Sequence, residues 1–271
     1  MPELPEVETI ARGLANAIVG KTIAAVEVRL PRVVDPAAPA FARALAGEQV
    51  VGVERRAKWI VITLGTGQRL LVHLRMTGRM IVQPATAIDA EPYTNVRLQF
   101  ADGDRLCFAD ARTLGRMRLV GPEVPWAAEV GVEPLSADFS VERFSEMLAG
   151  RTTPIKVFLL DQRRIAGIGN IYACEALWEA RIRPGRPAGA LTRPARSRLH
   201  RAIRDVLAVA IEMRGTSVDD YVDAEGLRGG FQNRLSVYGR AGEPCLRCGA
   251  PIVRTVLGQR GTWWCRSCQP R

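Results

Sequence analysis

Apolar residues recur at helical spacing between Pro5 and Ile18, where Val7, Ile10, Leu14 and Ile18 share one face, so a helix is expected to begin almost at the N-terminus. The period then changes. Short β-type runs follow over 22–30, 50–56, 59–64, 70–74, 96–100, 106–108 and 117–120, and Thr66-Gly67 and Asp102-Gly103 between such runs read as hairpin turns. The Pro/Ala-rich stretch at 36–39 reads as a surface loop. Beyond about Pro134 the helical period returns, over 141–148, 154–161, 170–180 and 192–213. Between the second and third of these helices lies Gln162-Arg163-Arg164-Ile165-Ala166-Gly167-Ile168-Gly169, whose glycines and following helix N-terminus suit a phosphate. Glycines 226, 229 and 230 then mark a loop ahead of a last short module. The expected fold is α+β: an N-terminal β-sandwich flanked by helices (1–134), a helical domain with a helical-pair DNA-contact motif and a glycine-rich loop (135–234), and a terminal cysteine module (235–271).

Charge adds a partner to this picture. The net charge is +10, carried by 35 arginines and only three lysines, Lys21, Lys58 and Lys156. A basic chain without a lipid-anchoring helix points to nucleic acid rather than membrane. Because arginine does not lose its proton near neutrality, chemistry needing an adjustable proton carrier has few lysines to draw on. No apolar run approaches the roughly 18 residues of a membrane span, and the acidic, proline-broken start does not resemble a secretory leader. A monomer in the cytoplasm, at the nucleoid, is expected.

The six cysteines sharpen the last module. Cys245-x2-Cys248 and Cys265-x2-Cys268, sixteen residues apart, have the spacing of a four-thiolate zinc site. Four protein ligands leave no position for water, so the one zinc expected is structural. Cys107 and Cys174 lack such pairing and are expected to be buried thiols. His73 and His200 are too few and too scattered for a catalytic metal, and His73, in an apolar strand, reads as a core residue.

The N-terminus Met1-Pro2-Glu3-Leu4-Pro5-Glu6-Val7-Glu8 resembles that of the formamidopyrimidine-DNA glycosylase family. Arg55-Arg56-Ala57-Lys58, His73-Leu74-Arg75-Met76-Thr77-Gly78, Gly167-Ile168-Gly169-Asn170-Ile171-Tyr172-Ala173 and Val237-Tyr238-Gly239-Arg240 with the cysteine module are similar to that family's motifs in the same order. The resemblance implies a helix-two-turn-helix in the helical domain, a zinc finger at the end, damaged double-stranded DNA as partner, and a bifunctional glycosylase and AP lyase acting on oxidised purines. Leu4 favours this branch over the endonuclease VIII branch, whose preference for oxidised pyrimidines is the alternative. A non-catalytic zinc-ribbon DNA-binding protein is the alternative from outside enzymology.

Physical chemistry supports the implied nucleophile. An α-amine has a pKa near 8 against about 10.4 for lysine, so roughly a tenth of it is neutral at pH 7. Pro2 presents such an amine only once Met1 is removed. By resemblance Glu3 is the proton donor, Lys58 the lysine of β-elimination, and Arg260 the arginine of δ-elimination, its more secure physical role being a phosphate clamp. Met76, Arg112 and Leu114 are candidates to fill the void left by an everted nucleotide, with Arg112 facing the orphaned base. Here the chain departs from the family: Asp110-Ala111-Arg112-Thr113-Leu114-Gly115 stands where Asp-Pro-Arg-Arg-Phe-Gly is common, so an aromatic wedge becomes leucine. Asn170, Arg151, Tyr93 and Lys156 match DNA-contacting positions, Tyr93 standing where some members have histidine. Glu6 is expected either at the lesion pocket or as a cap of the first helix, and Ser217 is expected at the lesion pocket, in a lesion-capping loop over 216–231 that also carries Glu225.

Overall fold

The first helix, α1 (Leu4–Ile18), places Pro5 in its first turn, where the missing N–H costs nothing, and buries Val7, Ile10, Leu14 and Ile18. Together with α2 (Ala38–Leu45) it flanks two sheets. The computed structural model describes residues 1–88, 91–218 and 221–270, and the chain forms two compact units, Met1–Ala128 with Met213–Gly230 and Glu129–Glu212 with Phe231–Arg271.

In the first unit a four-stranded sheet is formed by β1 (Ile23–Val28), β7 (Thr94–Phe100), β8 (Arg105–Ala109) and β6 (Arg79–Gln83), in that order. A five-stranded sheet runs β2 (Val34–Asp35), β9 (Arg116–Val120), β5 (Arg69–His73), β4 (Trp59–Leu64) and β3 (Val50–Arg56); only β2 and β9 pair in parallel. Alternation decides which side chains meet. Ile60, Ile62 and Leu64 of β4 join Leu70 and Val72 of β5, Val96 and Leu98 of β7 and the apolar face of α1 in one core. Val61, pointing the other way, packs with Leu71, Val120, Trp59 and Trp126 in a smaller cluster on the outer face.

Among the elements that depart from the pattern read above are α2 and β6. The stretch expected as a loop at 36–39 leads directly into α2, since proline is tolerated in a first turn and Phe41 and Leu45, four apart, bury completely. Strand β6 starts straight after Gly78, too short and too polar at its ends to register by alternation, and is held by pairing with β8.

The second unit contains α3 (Val141–Leu148), α4 (Ile155–Leu160), α5 (Asn170–Glu179) and α6 (Arg193–Glu212). Between α4 and α5 the side chain of Gln162 closes the turn: it donates to the carbonyls of Leu160 (3.1 Å) and Ile168 (2.7 Å) and accepts from the amide of Gly167 (2.9 Å). The terminal hairpin, β10 (Ile252–Leu257) and β11 (Arg260–Cys265), packs through Ile252 and Cys265 against Cys174 and Trp178 of α5. Among the described residues no helix is long and apolar enough to cross a membrane.

Candidate active site and nucleic-acid interface

Chain termini usually fray; here Pro2, Glu3 and Glu6 are all buried. The anchor is Glu6 in the first turn of α1. One of its carboxylate oxygens accepts from the amide of Glu3 (2.8 Å) and the other from the amide of Thr216 (2.7 Å). Thr216 begins the loop expected to cap a lesion, so Glu6 ties the N-terminus to that loop. Gly215 makes the approach feasible: it has a φ of +80°, and a Cβ there would lie 2.8 Å from a Glu6 oxygen. Tyr221 adds a second tie, its hydroxyl donating to the carbonyls of Arg214 (3.0 Å) and Glu6 (3.4 Å).

Chain order groups this loop with the helical domain, yet 213–230 packs in the first unit, through the ties to Glu6 and a bond from the amide of Val82 to the carbonyl of Ala224 (3.0 Å). Ser217 is turned inward, its hydroxyl donating to the carbonyl of Tyr221 (2.9 Å) and accepting from the amide of Gly229 (2.9 Å). Asp223, which sequence reasoning missed, organises the rest: its carboxylate accepts from Arg214 (2.6 Å) and from the amides of Glu225 (3.0 Å) and Leu227 (2.9 Å). Glu225 itself is paired with Arg214 at 3.1 Å. Asp219 and Asp220 of this loop lie outside the described residues.

Lys58 occupies the two-residue turn between β3 and β4, after Ala57 with a φ of +54°, and is 6% exposed. Helix α1 packs on these same two strands, and the ion pair of Arg55 with Glu8 (2.7 Å) fixes it there. Met76, Tyr93, Arg112 and Leu114, by contrast, all project from loops into solvent.

In the second unit Asn170 opens α5, whose first amides have no intrahelical acceptor, and its side-chain amide donates to the carbonyl of Gly261 (3.0 Å). Lys156, expected among the DNA contacts, is instead fully buried. Its ammonium donates to the same Gly261 carbonyl (3.0 Å) and to the Thr262 hydroxyl (2.7 Å), which tethers the hairpin beside the exposed Arg260. Arg151 is exposed at the end of α3. A second residue missed by sequence reasoning is Glu175 on α5, buried, whose carboxylate accepts from the amides of Ser236, Val237 and Tyr238 at 2.8–3.0 Å. The only signal for it was a carboxylate inside the apolar run Ala173-Cys174-Glu175-Ala176.

The sulfurs of Cys245, Cys248, Cys265 and Cys268 all lie within 4.8 Å of one another, with Cys245 to Cys268 at 3.8 Å and Cys248 to Cys265 at 3.5 Å. A tetrahedral zinc with bonds of about 2.3 Å calls for sulfurs about 3.8 Å apart. The thiols are not joined as disulfides, and the donor set fits one structural zinc. Cys107 and Cys174 are buried thiols.

A buried N-terminal pair on a two-sheet unit and a terminal hairpin that carries four clustered thiols and an exposed arginine suit a DNA-acting enzyme better than a simple zinc ribbon. Family models match most of the chain: the formamidopyrimidine-DNA glycosylase N-terminal domain matches residues 1–117, its H2TH domain 130–222, and the zinc finger found in FPG and IleRS 242–271. The formamidopyrimidine-DNA glycosylase of Chloroflexus aggregans is 47% identical over 99% of this chain and 98% of its own. Among solved structures, a Lactococcus lactis FPG mutant in complex with a Fapy-dG containing DNA superposes with a TM-score of 0.94 at 37% identity, covering both chains completely. Lactococcus lactis Fpg with an abasic site containing DNA gives 0.93 at 36% identity, covering 99% of this chain and 100% of that one. The chain belongs to the formamidopyrimidine-DNA glycosylase family.

Proposed function

We propose that this protein is a base-excision-repair glycosylase that removes oxidised purines, formamidopyrimidines and 8-oxoguanine, from duplex DNA and then cleaves the strand as an AP lyase. The observation that carries the mechanism is the buried N-terminus: Pro2 and Glu3 are buried, and Glu6 holds the amide of Glu3.

After Met1 is removed, the Pro2 nitrogen attacks the sugar C1′ as the bond from C1′ to the base breaks. The departing base takes up a proton, and the sugar ring opens to an iminium once its ring oxygen is protonated. Glu3, adjacent to the amine, serves as the proton donor. The iminium withdraws electrons, so a proton leaves C2′ and the C3′–O bond breaks; Lys58 serves this elimination. A second elimination breaks the C5′–O bond, with Arg260 assisting the departing phosphate. Arg260, Arg151 and the first turn of α5 at Asn170 hold DNA phosphates, and Lys156 acts on DNA only through the hairpin it tethers. Met76, Arg112 and Leu114 fill the vacated stack, and Tyr93 lies along the backbone. Glu6 and Ser217 shape the lesion pocket by holding the loop, which leaves loop amides to read the base edge. When bound, zinc holds the terminal hairpin in shape. The protein works as a monomer in the cytoplasm, at the nucleoid.

Borohydride trapping tests this reading. Protein shown by mass spectrometry to lack Met1 is expected to form a covalent adduct with a duplex carrying 8-oxoguanine, and protein that retains Met1, in which the Pro2 nitrogen is an amide, is expected to form none at Pro2. Absence of an adduct with the parent protein would overturn the mechanism, and a higher rate on oxidised pyrimidines would overturn the substrate assignment.

A further inference from the structure

Three loops of the first unit meet at one residue, Asp110, whose carboxylate the chemistry above does not use. Asp110 follows β8 and is 1% exposed. Its Oδ1 accepts from the hydroxyl of Thr77 (2.5 Å) and the amide of Arg112 (3.1 Å), and its Oδ2 accepts from the amide of Gly115 (2.7 Å). Its backbone is engaged as well: its amide donates to the carbonyl of Tyr93 (3.1 Å), and its carbonyl accepts from the side chain of Asn95 (3.1 Å) and the amide of Thr113 (3.2 Å). Among the described residues no ion pair involves Asp110, so this buried carboxyl group is held by N–H and O–H donors alone.

Each loop that converges on Asp110 contains a non-glycine residue in the left-handed region: Arg75 at φ +56°, Tyr93 at +60° and Thr113 at +53°. Such conformations are unfavourable for residues with a Cβ and persist only where surrounding bonds enforce them. Two glycines permit the close approach. A Cβ on Gly115 would lie 2.6 Å from the Phe108 ring, and one on Gly78 would lie 2.5 Å from the Leu74 carbonyl. The same loops carry the exposed side chains of Met76, Tyr93, Arg112 and Leu114.

We propose that Asp110 is a positioning residue for void filling: its single carboxylate fixes the Met76 turn and the Arg112–Leu114 loop relative to one another, so that they enter the DNA stack as one rigid unit. This rests on the assignment of Met76, Arg112 and Leu114 to the vacated stack. Rigidity matters more here than with an aromatic wedge, because leucine stacks poorly and relies on being held in place.

Asp110→Asn is the informative change, since it keeps shape and removes an acceptor. Whichever way the amide is turned, its NH2 group faces the amide of Gly115 or that of Arg112, so one buried N–H loses its partner. In the zinc-loaded full chain, Asp110→Asn is expected to slow single-turnover excision of 8-oxoguanine from a duplex by about ten-fold. Cleavage of a pre-formed abasic site in single-stranded DNA, where no stack needs filling, should stay within about two-fold of the parent. A 2-aminopurine beside the lesion should report slower unstacking. Thr77→Val should show the same split more weakly, and Thr77→Ser, which keeps the hydroxyl, should restore the parental rate.

Parental excision by Asp110→Asn, or equal losses on both substrates, would overturn the proposal. If Asp110→Asn does not fold, the Thr77 pair decides: equal rates for Val and Ser overturn it. The double variant Met76→Ala with Leu114→Ala separates the two levels. If it excises at the parental rate, the void-filling assignment itself is wrong and this inference falls with it; if it is slow while Asp110→Asn is not, only the role of Asp110 fails.

Discussion

The imidazole of His73 lies edge-on to Trp59, with ring centres 4.8 Å apart, and its Nδ1 accepts from the amide of Arg75 at 3.1 Å. Burial, followed by the positive charges of Arg75 and Lys58, lowers its pKa from 6.5 to about 4. At neutral pH it is therefore uncharged and adds no cation beside Lys58. The sign of the linkage follows. The unfolded chain takes up a proton near pH 6.5 and the folded chain only near 4, so stability from neutral His73 is complete above pH 6.5 and is lost as pH falls towards 4. The ceiling is about 3 kcal/mol. His73→Gln should flatten the stability curve in that window, and an imidazole resonance titrating near 6.5 in the folded protein would refute the assignment. Sequence reasoning reads His73 as a core residue from its apolar strand, whereas it lies half-buried at the strand end, outside the core clusters and against Trp59. What the strand could not reveal was the nearby charges, which come from a turn fifteen positions earlier and from its own loop.

Among the elements, α5 does the most positioning. One end presents Asn170, its apolar face carries the finger, and Glu175 gathers the three amides of 236–238 that lead into it. Glu175→Ala would leave the buried N–H of Val237 and the half-buried ones of Ser236 and Tyr238 without their acceptor, and a loss of about 3 kcal/mol is expected. Urea unfolding followed through Trp263 and Trp264 would measure it, and a midpoint equal to the parent's would show the three bonds to be energetically idle. Elements with a clean period were legible to within a residue or two: β3 and β4 span 50–56 and 59–64 as expected, and α3 spans 141–148. Helix α2 and strand β6 were not, because two prolines mask the Phe41 and Leu45 pair and because β6 owes its existence to β8.

For the whole molecule, zinc provides the clearest test. Four thiolates this close repel one another without a cation, so chelation should release one zinc per chain, disorder the terminal hairpin and abolish DNA binding, while the thermal transition of the β-sheet unit is unchanged. Metal assay, tryptophan circular dichroism and a duplex-binding titration would check this together, and normal binding by zinc-free protein would contradict it. The zinc ligands were legible from two Cys-x2-Cys pairs and the strands from alternation, since each of these is encoded by residue type and local spacing. Tertiary structure decided the rest. It buried Lys156 under the finger, bound Glu6 to a loop some 210 residues away and made Asp110 the junction of three loops, because hydrogen bonds between distant segments depend on where the chain returns in space and leave no period in the sequence.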